Sequence, residues 1–123
     1  MARPTRNSSP NEIAQSDRTF FATTRTATGH RLFQSERNAT LFIDVLRSHV
    51  AARRFKILDF VIMPDHVHLL ITVNKDMTIE KAMQLIKGGF SYRLKKEFGY
   101  LGEVWQKGFS EVRVKNDDDR LQF

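Results

Sequence analysis

Cysteine is absent from the 123 residues. That excludes disulfides and thiolate metal sites, and it is compatible with a reducing cytosol. Long hydrophobic runs are missing too. No stretch approaches the ~20 apolar residues of a spanning helix, so no membrane role is expected. The opening "MARPTRNSSPNEIAQSD" has no apolar centre and does not read as a secretory signal, which makes a soluble intracellular protein the expectation. Acidic residues are in short supply. Fourteen Asp and Glu face twenty Lys and Arg, leaving a formal charge of +6 and a pI near 10.0. Such a balance suits a polyanion, nucleic acid first and an acidic membrane surface second, with plain solubility as the simpler reading.

What is present suffices for one packed domain, since 41% of the residues are hydrophobic. Residues 1–17, rich in Pro, Ser, Asn and Arg, read as a flexible N-terminal arm. The β-branched and aromatic run "RTFFATTRTA" (18–27) predicts strand 1. After the turn "TGHRLF", Ser35 is placed to cap a helix running to about Arg53. Leu41, Phe42, Val45, Leu46 and Val50 give that helix its apolar stripe, and Arg53 and Arg54 suit its negative end. "FKILDFVIM" (55–63) and "HVHLLITV" (66–73) predict strands 2 and 3, joined by Pro64 and Asp65 in a tight hairpin. A second helix is predicted from Ile79 to Phe98, capped by Thr78, and "FSEVRVK" (109–115) as strand 4. The order β-α-β-β-α-β predicts an α+β, ferredoxin-like fold: an antiparallel four-stranded sheet with two helices on one face.

Two histidines interrupt the apolar hairpin. His66 and His68 share one face of strand 3, while Val67, Leu69, Ile71 and Val73 share the other. The aliphatic set is the natural face to pack on helices. The imidazoles then look outward together, near enough to ligate one divalent ion through neutral ring nitrogens. Taken alone, H-x-H is a weak signal, because paired surface histidines also occur without metal.

Helix 2 divides in the same way. Ile79, Met83, Ile86, Phe90 and Leu94 form an apolar arc, and Lys81, Gln84, Gly88, Ser91 and Lys95 gather opposite. Gly88 falls on the polar side, where packing does not explain it. Close approach of a phosphate backbone does, and a solvated or mildly kinked face is the alternative. Lys87, Arg93 and Lys96 flank this surface and add sequence-independent affinity for DNA. Trp105 offers a platform for a base, although a lone Trp in a small domain is more often a core anchor. If Val112 and Val114 face the helices, Arg113 and Lys115 lie beside the histidines.

"MPDHVHLLI" resembles the histidine–hydrophobic–histidine (HUH) signature of single-tyrosine transposases, in particular the REP-associated tyrosine transposases. "TFFATTRT", "RLFQSER", "QLIKGGFSYRLKKE" and "VWQKGFSEVRVKNDDD" match that group in order, so the resemblance spans about residues 18–119, with 120–123 a short tail. It implies an enzyme of DNA transposition and recombination that grips single-stranded DNA beside a hairpin, in the cytoplasm at the nucleoid. A divalent ion, Mg or Mn, then polarises the scissile phosphate, held here by His66 and His68. A tyrosine attacks and leaves a 5′-phosphotyrosine and a free 3′-hydroxyl.

In the resembling proteins that tyrosine lies on a helix after the last strand, with an Asn or Gln four residues on, and some work as homodimers that exchange this helix. Here "KNDDDRLQF" follows strand 4 without a tyrosine, and Asn116 or Asp117 is placed only to cap such a helix. Tyr92 and Tyr100, the two tyrosines present, fall in and just after helix 2. The expectation is therefore a transposase domain whose nucleophile segment is absent from this chain. The alternatives are a catalytically silent, truncated or domesticated DNA-hairpin binder and, less favoured, an RNA-binding domain of the same fold.

Overall fold

The structure, a computed structural model, describes residues 16–115. Seven elements follow in order: β1 (Arg18–Arg25), a 3-10 turn (Leu32–Gln34), α1 (Glu36–Ala51), β2 (Lys56–Met63), β3 (His66–Val73), α2 (Ile79–Phe98) and β4 (Ser110–Val114). The strands form one antiparallel sheet in the order β2-β3-β1-β4, and the helices cover one face of it, as the ferredoxin-like pattern requires. The expectations of a flexible arm at 1–17 and a tail at 120–123, and of a cap at Asn116 or Asp117, fall largely or wholly outside the described residues.

Local chemistry sets the helix ends. The Ser35 hydroxyl accepts from the Asn38 N–H at 3.3 Å and opens α1, and the Thr78 hydroxyl accepts from the Lys81 N–H at 3.0 Å and opens α2. Gly99, in the left-handed region at φ 67°, closes α2 with its N–H on the Lys95 carbonyl. Arg53 takes the same conformation after α1 at φ 61°, so it ends that helix through its backbone.

The core lies between sheet and helices. Val67, Leu69, Ile71 and Val73 of β3 are fully buried, as are Met83, Ile86, Phe90 and Leu94 of α2, with Ile79 nearly so. From α1 come Leu41, Phe42, Val45 and Leu46, whereas Val50, expected in the same stripe, is 39% exposed at the last turn. Strand β2 is less regular than its sequence suggests. Its pairing shifts between Ile57 and Asp59, so Leu58 is the extra residue of a bulge at the sheet edge.

The two mid-helix glycines have different neighbours. A β-carbon on Gly89 would stand 3.1 Å from Val45 Cγ1 and 3.5 Å from His49 Nε2, so this glycine lets α1 and α2 approach closely. One on Gly88 would meet nothing within 4 Å. His49 is itself buried. Its Nε2–H donates to the Leu85 carbonyl at 3.2 Å, and its Nδ1 accepts from Arg54 at 3.1 Å, which defines a neutral imidazole. Burial foremost, then the Arg54 charge, holds its pKa below the ordinary value, against a partial rise from the Leu85 carbonyl.

Two outcomes follow. Gly88→Ala is expected to raise thermal stability by up to about 1 kcal/mol through helix propensity, whereas Gly89→Ala gains less or loses stability because Val45 must move. Equal gains in thermal melts would contradict the close approach assigned to Gly89. Because the folded pKa of His49 lies below its unfolded value, the folded state takes up fewer protons. Stability should therefore be fully present above about pH 6.5 and decline as pH falls below it. Melts of His49→Gln from pH 8 to 5 should show a shallower acid slope than wild type. An unchanged slope would remove His49 as its source.

Candidate metal centre and nucleic-acid interface

The sheet's alternation carries the imidazoles to the open face. Because successive residues of β3 point to opposite faces and Val67 is turned to the helices, His66 and His68 lie on the other face and stay partly exposed. The ring centroids are 4.9 Å apart, with the planes nearly perpendicular at 86°.

Each ring is oriented by a bond to its Nδ1. The Asp65 carboxylate accepts from His66 Nδ1–H at 2.7 Å, and Thr23 Oγ1 lies 2.9 Å from His68 Nδ1. The first bond, before burial and charge are counted, keeps the Asp65 carboxyl below its ordinary range. His66 Nδ1 donates to a carboxylate, which leaves its Nε2 lone pair for a metal; His68 is set in the same way when Thr23 Oγ1 accepts from its Nδ1–H, the arrangement by which outer partners fix a ligand's tautomer. Burial first, then the neighbouring His66 and Arg25, lowers the pKa of His68, so it is neutral and ligand-ready at pH 7. Among the described residues no group of three or more His, Cys, Asp or Glu could hold an ion. The pair thus supplies two nitrogen donors. That donor set fits a divalent ion whose remaining positions go to water or phosphate oxygen.

Neighbouring strands complete the face. Thr23 is the register partner of His68 and Arg25 that of His66 on β1, with Val61 and Met63 opposite them on β2. Phe21 is 46% exposed and stacks on the His68 ring at 5.6 Å. The centre is therefore a nitrogen pair set in apolar side chains, with Arg25 as the adjoining cation.

The cationic candidates take other places. Register pairs Arg113 with Phe20 and Val112 with Phe21, so it is the valines that share the histidine face, Arg113 points to the helix side, and Lys115 lies just past the end of the strand. The expectation reversed because β4 is an edge strand. Val112 is 67% exposed, and alternation there does not report the core. Arg93 is not presented to solvent beside Gly88. It binds Glu97 at 2.5 Å and Asp44 at 2.6 Å, and these bonds keep its guanidinium firmly charged. Lys96 donates to the Tyr92 hydroxyl at 3.0 Å.

Lys87 and Trp105 form a reciprocal clasp. Lys87 Nζ donates to the carbonyls of Gln106 (3.1 Å) and Gly108 (2.6 Å), and the Trp105 indole N–H donates to the Lys87 carbonyl at 2.9 Å. Burial lowers the Lys87 pKa. The Trp105 ring packs against Phe33, Phe42 and Phe90, so it anchors the core, and its half-buried side joins Gly88 and Ser91 in a shallow groove. Lys81 and Lys95 are exposed on the same arc of α2. Neither tyrosine bonds His66 or His68: Tyr100 OH lies 3.0 Å from His30 Nδ1, and Tyr92 OH is held by Lys96.

Sequence reading missed the roles of Asp65, Thr23 and Phe21. Asp65 is adjacent to His66 and was available as a cue, but Thr23 and Phe21 meet His68 only through strand register.

The class of protein to which this histidine hairpin belongs follows from comparison with known proteins. The model of the family described as "Transposase IS200 like" matches residues 20–121, and the chain belongs to that family. A crystal structure from Deinococcus radiodurans R1, described as that of "a putative transposase", superposes with a TM-score of 0.69 at 20% identity, covering 95% of this chain and 92% of that one. A REP-associated tyrosine transposase bound to a REP hairpin gives 0.60 at 25% identity, covering 85% of this chain and 61% of that one. No curated protein matches.

Thr23→Val and Asp65→Leu each remove one bond to Nδ1 while keeping side-chain size close to the original. Each is expected to weaken Mn²⁺ binding, read by calorimetry, by about 10-fold or more. Affinity equal to wild type in both variants would show that these residues do not orient the imidazoles.

Proposed function

We propose that this chain grips single-stranded DNA beside a hairpin and holds a divalent ion, Mg or Mn, through Nε2 of His66 and His68, as the ion-bearing part of a strand-cleaving and rejoining transposase. The observation that carries this reading is the pair of outward imidazoles whose Nδ1 atoms are both engaged. Membership of the IS200-like family and the likeness to a hairpin-bound REP-associated transposase support it. When bound, such an ion polarises a phosphoryl oxygen and offsets the charge that builds on it.

The chain's own residues do the rest. Asp65 and Thr23 fix the rings, Arg25 adds positive charge beside them, and Phe21 covers one side of His68. Nitrogen donors favour Mn over Mg on ligand softness. Strand cleavage in this scheme passes the phosphoryl group to a tyrosine oxygen and releases a 3′-hydroxyl. Tyr92 lies in α2, on the other side of the sheet from His66 and His68, and Tyr100, just after that helix, is paired with His30, so neither is proposed as that oxygen. The same observation favours a second reading, a hairpin-binding module that performs no chemistry. A homodimer is compatible with both.

The test uses a fluorescent DNA hairpin with a single-stranded 5′ flank. Mn²⁺ should tighten binding by the wild type, and the double variant His66→Ala/His68→Ala should bind as wild type does without metal. If the variant keeps the Mn²⁺ response, the histidines are not the ligands. If wild type shows no Mn²⁺ response at all, the module without chemistry is the better account.

A further inference from the structure

The groove beside Gly88 belongs to no part of the histidine centre. It is a concavity of about 360 Å³ on the helix side, lined by Met83, Gln84, Gly88, Ser91, Trp105 and Phe109. Its floor is apolar and aromatic. One wall is fixed, because the Lys87–Trp105 clasp ties the 105–108 segment to α2. The other wall is low at Gly88, where a side chain would meet nothing within 4 Å. A glycine in the middle of a helix is unfavourable, and neither φ nor packing requires this one. What its absent side chain provides is open space above the Trp105 and Phe109 side chains.

The charge around the groove is mainly positive. Lys81 lies on the same arc of α2, Lys107 lies within the clasped segment, and Arg113 projects to the helix side of β4, against the carboxylates of Glu80 on the lining and Glu111 on the same side of β4. A flat apolar slot with a cationic surround matches an unpaired base carried on a phosphate backbone. The route to the histidines is short. Phe109 precedes Ser110, Ser110 is the register partner of Thr23, and Thr23 bonds His68. In the plane of the sheet β3 and β4 are two strand spacings apart, roughly 10 Å, and a strand reaching from groove to histidines also turns round the β4 edge to the opposite face.

We propose that this groove is a base-binding subsite, holding one unpaired DNA base of the strand that passes over the β4 edge to His66 and His68. The inference rests on the DNA reading above and adds to it a second contact point on the strand, outside the metal centre.

The experiment measures binding of a 5′-fluorescein 20-mer of thymidine and of an abasic backbone of equal length, by anisotropy in EDTA at fixed salt. Full-length wild type, Gly88→Met and Phe109→Ala are compared, each after a thermal melt that confirms folding. Wild type should prefer the thymidine probe by about 10-fold, a loss typical of one removed base–aromatic contact. Gly88→Met, which fills the slot from an exposed helix position, should abolish that preference and leave abasic binding unchanged. Phe109→Ala should do the same from the other wall. If Gly88→Met and Phe109→Ala retain the wild-type preference, the groove is not a base site, although the DNA reading stands. Equal weakening of both probes would also overturn it, because the loss would then be of backbone contact. If wild type binds neither probe, there is no base preference to assign to the groove and the proposal fails, while the hairpin measurement above tests the DNA reading by itself.

Discussion

Everything at the proposed centre depends on the parity of one strand. Val67, Leu69, Ile71 and Val73 are all fully buried, and this fixes which face β3 turns to the helices. A slip of one residue would put four aliphatic side chains in water and two imidazoles in the core, at a cost of several kcal/mol on burial alone. The hydrophobic effect therefore positions the histidines, although neither takes part in it. The hairpin turn is secured as well. The loop after β1 donates to its carbonyls, Thr26 N–H to Asp65 and Phe33 N–H to Pro64, at 2.9 and 3.0 Å. The turn that presents Asp65 to His66 is thus tied to the body of the domain.

From that constraint the site is built outward through register. Antiparallel pairing puts Thr23 opposite His68 and Arg25 opposite His66, so a hydroxyl and a cation reach the centre without being near it in sequence. The helix layer is assembled separately. Gly89 lets α1 and α2 close on each other, while its neighbour Gly88 faces outward. Two adjacent glycines thus answer to two different demands, one of packing and one of an open surface.

Much of this was legible in the sequence. Strong periodicity gave α1, α2 and β3 their limits, and the serine and threonine caps marked where the helices begin. The histidine face followed from alternation, because β3 is central and its aliphatic face is unambiguous. Strand β4 shows why the same rule fails elsewhere. It sits at the edge, its valines are not core residues, and its arginine projects, exposed, on the helix side of the sheet. Arg93 was misread for a different reason: its partner Asp44 lies on the other helix, and composition cannot show such a pair. Trp105 was open between base platform and core anchor, and three phenylalanines around its ring decide for the core. The bulge at Leu58 left no mark in the sequence, since an extra residue on an edge strand disturbs no buried face.

The central claim concerns where an ion sits, and the chain's four histidines offer a direct readout. Mn²⁺ is paramagnetic, and substoichiometric amounts broaden the imidazole proton resonances of any histidine beside it. The account predicts loss of the His66 and His68 signals together, while those of His30 and buried His49 persist. Broadening of all four signals alike, or of His30 alone, would contradict it.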